Sequence, residues 1–266
     1  MEICFINPPF KPEFGKFSRE SRSPAIGHSG VLYYPLWLIY AAAVVEKEGF
    51  EVTFVDAPAK RMDVDRCLDV IEEKSCEPKL FVLDTSTPSI NSDLNFAKLL
   101  KEKFNKSFIV LVGTHPTATV EETLNNSDAI DAIARKEYDY IIRDLAICLN
   151  QNGQLDYVKG LSYKNGGEII HNLDRELIEN LDDIPYASKF IKKHLDIYDY
   201  SFPAATFPAI QIFTGRGCPA RCNYCVYPQV MHGHIYRKRS LENVVNEFQY
   251  IADNYPDIKE IVIEDD

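Results

Sequence analysis

The chain has 266 residues, 45% of them hydrophobic with 15 Phe and 15 Tyr, and a net charge of -11. That length suits two folded units with ample apolar material for a core, and the acidic balance argues against wholesale binding to nucleic acid or to an anionic membrane. No apolar run approaches the roughly 18 to 20 residues of a spanning helix, and MEICFINPPF has neither the charged start nor the cleavage site of a leader. A cytoplasmic protein is therefore expected.

In chain order, residues 2–6 form a short apolar strand that Asn7-Pro8-Pro9 breaks. Residues 35–48 are helical, with Pro35 at the start and Gly49 just past the end. EVTFVDA (51–57) alternates as a strand, and a polar-faced helix follows over 63–75. Strand 79–84 runs into the turn-rich TSTPS, helix 90–104 follows, and 107–113 is the most apolar strand. Thr119 and Glu122 stand at capping-box spacing, which predicts a helix starting after GTHPTA. A fifth strand (129–134) and a fifth helix (137–149) complete the series.

Five such βα units predict an α/β fold with a doubly wound, Rossmann-like or flavodoxin-like parallel sheet over residues 1–150. Ligands of such sheets lie outside the carboxyl ends of the strands. That edge carries Asn7-Pro8-Pro9, Asp84-Thr85-Ser86-Thr87 and Gly113-Thr114-His115-Pro116-Thr117. Taken one by one, these residues also suit simple turns and caps. Residues 151–208 read as a hairpin closed by Asn165-Gly166-Gly167 and then a linker. A second unit, 209–266, runs as strand AIQIFT, a cysteine-rich loop, helix 240–255 capped by Ser240, and strand 259–265.

Of seven cysteines, Cys4, Cys67, Cys76 and Cys148 are scattered and read as small apolar or inert thiols. The other three lie in GRGCPARCNYC as Cys218-x-x-x-Cys222-x-x-Cys225. Zinc would take the three thiolates and a fourth ligand, His232 or His234. A four-iron cluster would take three thiolates and leave one iron open to another ligand. From Tyr200 to Leu241 the chain has no Asp or Glu, while Arg216, Arg221, Arg237, Lys238 and Arg239 lie there. This predicts a cationic zone around the loop, favourable to thiolates and to an anionic cluster.

Cys-x-x-x-Cys-x-aromatic-Cys after a strand that opens a βαβ series resembles the signature of the radical S-adenosylmethionine (SAM) enzymes. Upstream, INPP, LVGTHPTATVEETL, EYDYIIRDLA and the hairpin with LDDIP resemble the cobalamin-binding domain of one subfamily, and RGCPARCNYCVYP is typical of it too. The resemblance covers nearly the whole chain. It implies a 4Fe-4S cluster on Cys218, Cys222 and Cys225, with SAM on the open iron. Tyr224 would lie beside the adenine, and Glu264, Asp265 and Asp266 near the SAM amino group. Cobalamin would meet Asn7, Pro8, Pro9, Thr85, Ser86, Gly113, His115 and Thr117.

The implied reaction is reductive cleavage of SAM to a 5′-deoxyadenosyl radical, for methyl transfer from cobalamin to an unactivated carbon of a small-molecule substrate. An electron donor such as flavodoxin or ferredoxin is implied as a partner. Two departures stand out. The Asp-x-His-x-x-Gly motif of many cobalamin proteins is absent, and Arg135-Lys136-Glu137 stands where the subfamily often reads Gly-Glu. The second unit also holds only the start of that family's partial barrel. The chain is therefore expected to be a portion of a longer protein or to need a partner chain, and to be inactive alone. The alternative is a non-catalytic cobalamin- or nucleotide-binding module with a Cys3His zinc site.

Overall fold

The computed structural model describes residues 1–19, 24–27, 30–75 and 77–265. The chain begins with β1 (Glu2–Asn7), a small antiparallel pair of β2 (Lys16–Ser18) and β3 (Ala25–Gly27), and α1 (Leu36–Lys47). It continues through β4 (Glu51–Asp56), α2 (Val64–Lys74), β5 (Leu80–Asp84), α3 (Ile90–Lys103) and β6 (Phe108–Val112). Two short helices, α4 (Thr114–Ala118) and α5 (Val120–Asn125), lead to β7 (Ala132–Ala134) and α6 (Asp139–Asn150). The hairpin β8 (Leu161–Asn165) and β9 (Glu168–His171) precedes α7 (Ala187–His194).

The main sheet has the order β4-β1-β5-β6-β7-β8-β9, parallel through β7 and antiparallel beyond it. Its first five strands follow the second-first-third-fourth-fifth order of flavodoxin-like sheets. Both faces are buried, so neighbouring residues serve different cores. Ile3 and Phe5 face one cluster, with α1 and α6, while Cys4 and Ile6 face the other, with α2 and α3. Burial pushes the Cys4 thiol well up and the Cys67 thiol to about 12, which makes both inert at neutral pH. Cys148 is half-buried and free, and Cys76 lies outside the described residues.

Two local readings differ from expectation. The hairpin closed by Asn165-Gly166-Gly167 is no free-standing connector, because β8 pairs with β7 and covers its edge. The capping box at Thr119 does not form: Thr119 Oγ1 instead donates to the His115 carbonyl, 2.9 Å away. Helix α4 has already started at Thr114, and Thr119 marks the break before α5.

Helix α1 is apolar all round and buried from Leu36 to Val45. It packs against α6 and α7, and Tyr40 Oη accepts a hydrogen bond from the Phe213 amide, 3.1 Å away. It thus forms a wall shared with the second unit. That unit starts with β10 (Ala209–Ile212) and the two-residue strand β11 (Gly215–Arg216). After the cysteine loop come β12 (Arg237–Lys238), α8 (Leu241–Asn254) and β13 (Glu260–Ile263). β10 and β13 pair in parallel with α8 as the crossover, and Ser240 Oγ caps α8 by accepting from the Asn243 amide at 3.1 Å.

Gly113 closes β6 against β5 with φ at +113°, and a β-carbon there would stand 2.3 Å from the Thr85 carbonyl oxygen. Gly113→Ala is expected to cost about 1–3 kcal/mol through the backbone conformation alone. Urea denaturation checks this, and a variant as stable as the parent would contradict the close approach.

Candidate functional site

The cysteine loop is tied at its neck. β11 and β12 pair antiparallel, the Cys218 amide donates to the Gly233 carbonyl at 3.2 Å, and Arg239 N donates to Thr214 O at 2.9 Å. Gly217 has φ at +102°, and any β-carbon there would meet the Ile235 carbonyl at 2.1 Å. Inside the neck, the Cys225 amide donates to Cys222 O at 3.1 Å, and a π-helical turn, Pro228–His232, follows. Cys218, Cys222 and Cys225 line one cavity of about 300 Å³, together with Arg221, Gln229 and His234.

Among the described residues, no three His, Cys, Asp or Glu side chains stand close enough to hold one metal ion. Zinc needs its sulfur ligands about 2.3 Å from a single centre. A four-iron cluster takes each thiolate on a different iron, so three cysteines spread around one cavity fit it better. His232 is not a fourth ligand candidate: it is buried, stacked on Trp37 at 6.2 Å, and does not line the cavity. His234 does line it.

The expected cationic zone is largely neutralised by acids from distant parts of the chain. Arg216 is buried, donating to Glu137 Oε1 at 2.9 Å and to both Asp139 oxygens at 2.9 and 3.1 Å. Its guanidinium also lies 4.3 Å from the Trp37 ring centroid. Arg237 takes the other Glu137 oxygen at 2.9 Å, and Arg239 pairs with buried Glu247 at 2.5 Å. Burial alone would raise Glu137, but Arg216 and Arg237 outweigh it and hold the carboxyl below its usual range. Arg221 and Lys238 remain exposed at the loop.

At the end of β13, Glu264 accepts from Gln211 Nε2 at 3.0 Å. Asp265 accepts from the Thr214 and Gly215 amides at 2.6 and 2.9 Å and from Tyr236 Oη at 2.9 Å. Its carboxylate therefore closes the base of the loop. Tyr224 is 92% exposed and lies off the cysteine cavity, and Asp266 lies outside the described residues.

The carboxyl edge of the main sheet is built on charge that the sequence pattern does not show. The register sets Asn7 beside Asp56, and Asn7 Nδ2 donates to Asp56 Oδ1 at 2.9 Å. Arg19, buried, donates to Asn7 Oδ1 and the Pro8 carbonyl, each at 2.7 Å, and to Asp93 at 2.6 Å. Pro9 is buried beside it. Thr85 Oγ1 and Ser89 Oγ donate to the other Asp93 oxygen at 2.5 and 2.6 Å, and Ser86 Oγ lies 3.0 Å from Ser89 Oγ. So Asn7, Thr85 and Ser86 are buried and partnered within the edge. Gly113, His115 and Thr117 lie on the next loop: His115 Nδ1 is 3.1 Å from Thr87 Oγ1, and Thr117 Oγ1 donates to Gly113 O at 2.9 Å.

The two regions meet. The π-helical turn packs on α4, and a narrow cleft between them is lined by Arg19, Trp37, Asp84, Thr85, Gly113 and Tyr227 among others. Arg19 and Asp93 escaped sequence reading because they lie in separate segments and pair across 74 positions. Asp84 stood in an edge loop, but nothing local distinguishes it from a strand-ending acid.

Two measurements follow from these charges. Arg216→Met removes one side of a buried ion cluster and is expected to cost about 3–5 kcal/mol. Arg66→Ala, at an exposed, solvent-screened pair with Glu73, should leave stability nearly unchanged. Equal losses by denaturant titration would contradict this assignment.

Burial pushes Asp84 up to about 7, with Arg19 opposing, and Asp56 up to about 6, with the Tyr200 hydroxyl opposing. Unfolded carboxyls titrate near pH 4 (about 3.9 for Asp), so both groups take up protons on folding. Their contribution is full below about pH 4 and is lost as pH rises through the folded values. Asp84→Asn should flatten that loss between about pH 5 and 7. An unchanged slope of stability against pH would exclude Asp84 as its source.

Comparison with known proteins matches residues 22–146 to the B12 binding domain family. An uncharacterized methyltransferase of Pyrococcus horikoshii is 30% identical over 232 residues, covering 87% of this chain and 48% of that protein. An anaerobic magnesium-protoporphyrin IX monomethyl ester cyclase of Cereibacter sphaeroides is 24% identical, covering 83% of this chain and 36% of that protein. The chain thus spans half or less of the length of these relatives. Among solved structures, the cobalamin-dependent SAM radical enzyme OxsB, with aqua-cobalamin and SAM bound, superposes with TM-score 0.75 at 18% identity. That match covers 100% of this chain and 34% of OxsB. The radical SAM methyltransferase TsrM of Kitasatospora setae, with cobalamin and a [4Fe-4S] cluster bound, superposes with TM-score 0.68 at 18% identity, covering 99% of this chain and 47% of TsrM. These two likenesses concern the fold. Residues 22–146 thus match a B12 binding domain, and over most of its length, the cysteine loop included, the chain is similar to these proteins.

Proposed function

We propose that this chain is the cofactor-holding part of a cobalamin-dependent radical SAM methyltransferase acting on a small molecule. One observation carries the reading: the turn after Cys225 packs directly on the carboxyl edge of the B12 binding domain, so both expected cofactor sites open onto neighbouring surfaces. Together the bound groups would supply a one-electron reduction of SAM and a transferable methyl group. The methyltransferase similarity at 30% identity favours methyl transfer over the ring formation named for the cyclase relative.

Within this reading Cys218, Cys222 and Cys225 hold the cluster, and the β11–β12 neck fixes the loop that presents them. Glu264 offers a carboxylate to the SAM amino group, while Asp265 spends its oxygens on the loop base. Tyr224, exposed, is available to cover an adenine. Gly113, His115 and Thr117 offer backbone and side-chain polar groups to cobalamin, over a floor formed by Asn7, Pro8, Pro9, Thr85 and Ser86. The working division is 1–150 for cobalamin, 151–208 as connector, and 209–266 for the cluster. Leu241, Val245 and Ile263 are exposed apolar residues on α8 and β13, a surface suited to further parallel strands from the same or another polypeptide. An electron donor such as flavodoxin or ferredoxin is the expected redox partner. No helix among the described residues is long and apolar enough to cross a membrane.

Anaerobic reconstitution with iron and sulfide should give broad absorbance near the visible–ultraviolet edge. Replacing Cys218, Cys222 and Cys225 with alanine together should abolish it. Retention of that absorbance, or one equivalent of zinc in place of iron, would overturn the cluster assignment in favour of a zinc-bearing binding module.

A further inference from the structure

Besides Cys218, Cys222 and Cys225, the cysteine cavity is lined by one further side chain that iron binds readily, His234. Of the other polar residues around it, Arg221 has no lone pair to give, and Asn223 and Gln229 offer only amide oxygens. A carboxylate cannot come from the loop's own segment, since no Asp or Glu lies between Tyr200 and Leu241.

Backbone contacts on both sides of His234 hold it next to the first cysteine. One residue before it, the Gly233 carbonyl accepts from the Cys218 amide at 3.2 Å. One residue after it, the Ile235 carbonyl packs on Gly217 so closely that a β-carbon at Gly217 would stand 2.1 Å from its oxygen. The His234 side chain is exposed, and among the described residues it has no hydrogen-bond or ion-pair partner. Its ring nitrogens are therefore uncommitted, in contrast to the His232 ring, which is buried and stacked on Trp37.

We propose that His234 is the protein's own ligand to the iron that the three cysteines leave open, held there until SAM takes its place. This rests on the reading that Cys218, Cys222 and Cys225 carry a 4Fe-4S cluster. Such a cluster takes one protein ligand on each iron, so four side chains need only surround one cavity and do not have to meet at a point. The absence of a single-ion site among the described residues is compatible with that arrangement. An imidazole adds no negative charge to a centre already bearing three thiolates. The step is a ligand exchange: one Fe–N bond forms, one bond from iron to a solvent oxygen breaks, and no oxidation state changes. Because the ligand is monodentate and sits on an exposed segment, a chelating amino acid head group can displace it.

The test follows the nitrogen itself. The whole chain, labelled with 15N-histidine, is reconstituted anaerobically with iron and sulfide, reduced with dithionite and examined by pulsed electron paramagnetic resonance without SAM. The parent should show the 15N coupling of an imidazole bound directly to the cluster, and His234→Ala should lose it while keeping its iron and sulfide. If that variant does not hold a cluster, His234→Gln, which retains a polar side chain, takes its place. A parent cluster without the coupling would mean that solvent occupies the open iron, and would overturn the proposal while the cluster stands. Retention of the coupling in the variant would overturn the assignment to His234. If the parent itself assembles no cluster, the reading of the three cysteines fails and this ligand with it.

Discussion

The burial of Arg216 is the constraint on which the arrangement of the two units depends. A guanidinium removed from water must find carboxylates in nearly ideal geometry, or the desolvation cost is not offset. Arg216 finds them in Glu137 and Asp139, at the start of α6, and rests its flat face on Trp37 of α1. It stands two positions before Cys218. The cysteine loop is therefore anchored to the B12 binding domain immediately beside its first cysteine. Arg237, at the other side of the neck, shares Glu137, so both strands of the neck are held by one acid. Position and orientation of the loop are fixed by this pairing more than by the short β11–β12 ladder.

Helix α1 makes such an anchor possible. An isolated helix that is apolar on every side would aggregate, whereas here it is covered by the sheet, by α6 and α7, and by the second unit. Trp37, Tyr40 and Phe213 pack around the Arg216 guanidinium, which lets a charge sit in an otherwise apolar seam. At the sheet edge a second buried cation, Arg19, does comparable work for the β1 and β5 loops. Both sites place an arginine where backbone loops must be held rigid, and both draw their acids from far away in sequence.

The strands and helices were largely legible because each carries its own apolar period and punctuation. Ser240 caps α8 and Gly49 ends α1 as their positions predict. The cysteine loop was legible from its spacing and its place after a strand. The charges were not. An acid-free stretch of 42 residues reads as a cationic surface, yet Arg216, Arg237 and Arg239 turn inward to Glu137, Asp139 and Glu247. Pairing over such separations depends on topology, which local composition cannot encode. The same holds for Arg19 and Asp84, whose neighbours are set by strand order, and for Thr119, whose hydroxyl had two backbone partners to choose between.

The central claim is that the cysteine loop and the cobalamin edge form one continuous site. Electron paramagnetic resonance of the chain carrying both a reduced cluster and Co(II) cobalamin tests it most directly. Two paramagnets held on neighbouring surfaces should broaden or split each other's signals. Spectra that equal the plain sum of the cluster-only and cobalamin-only samples would contradict the account.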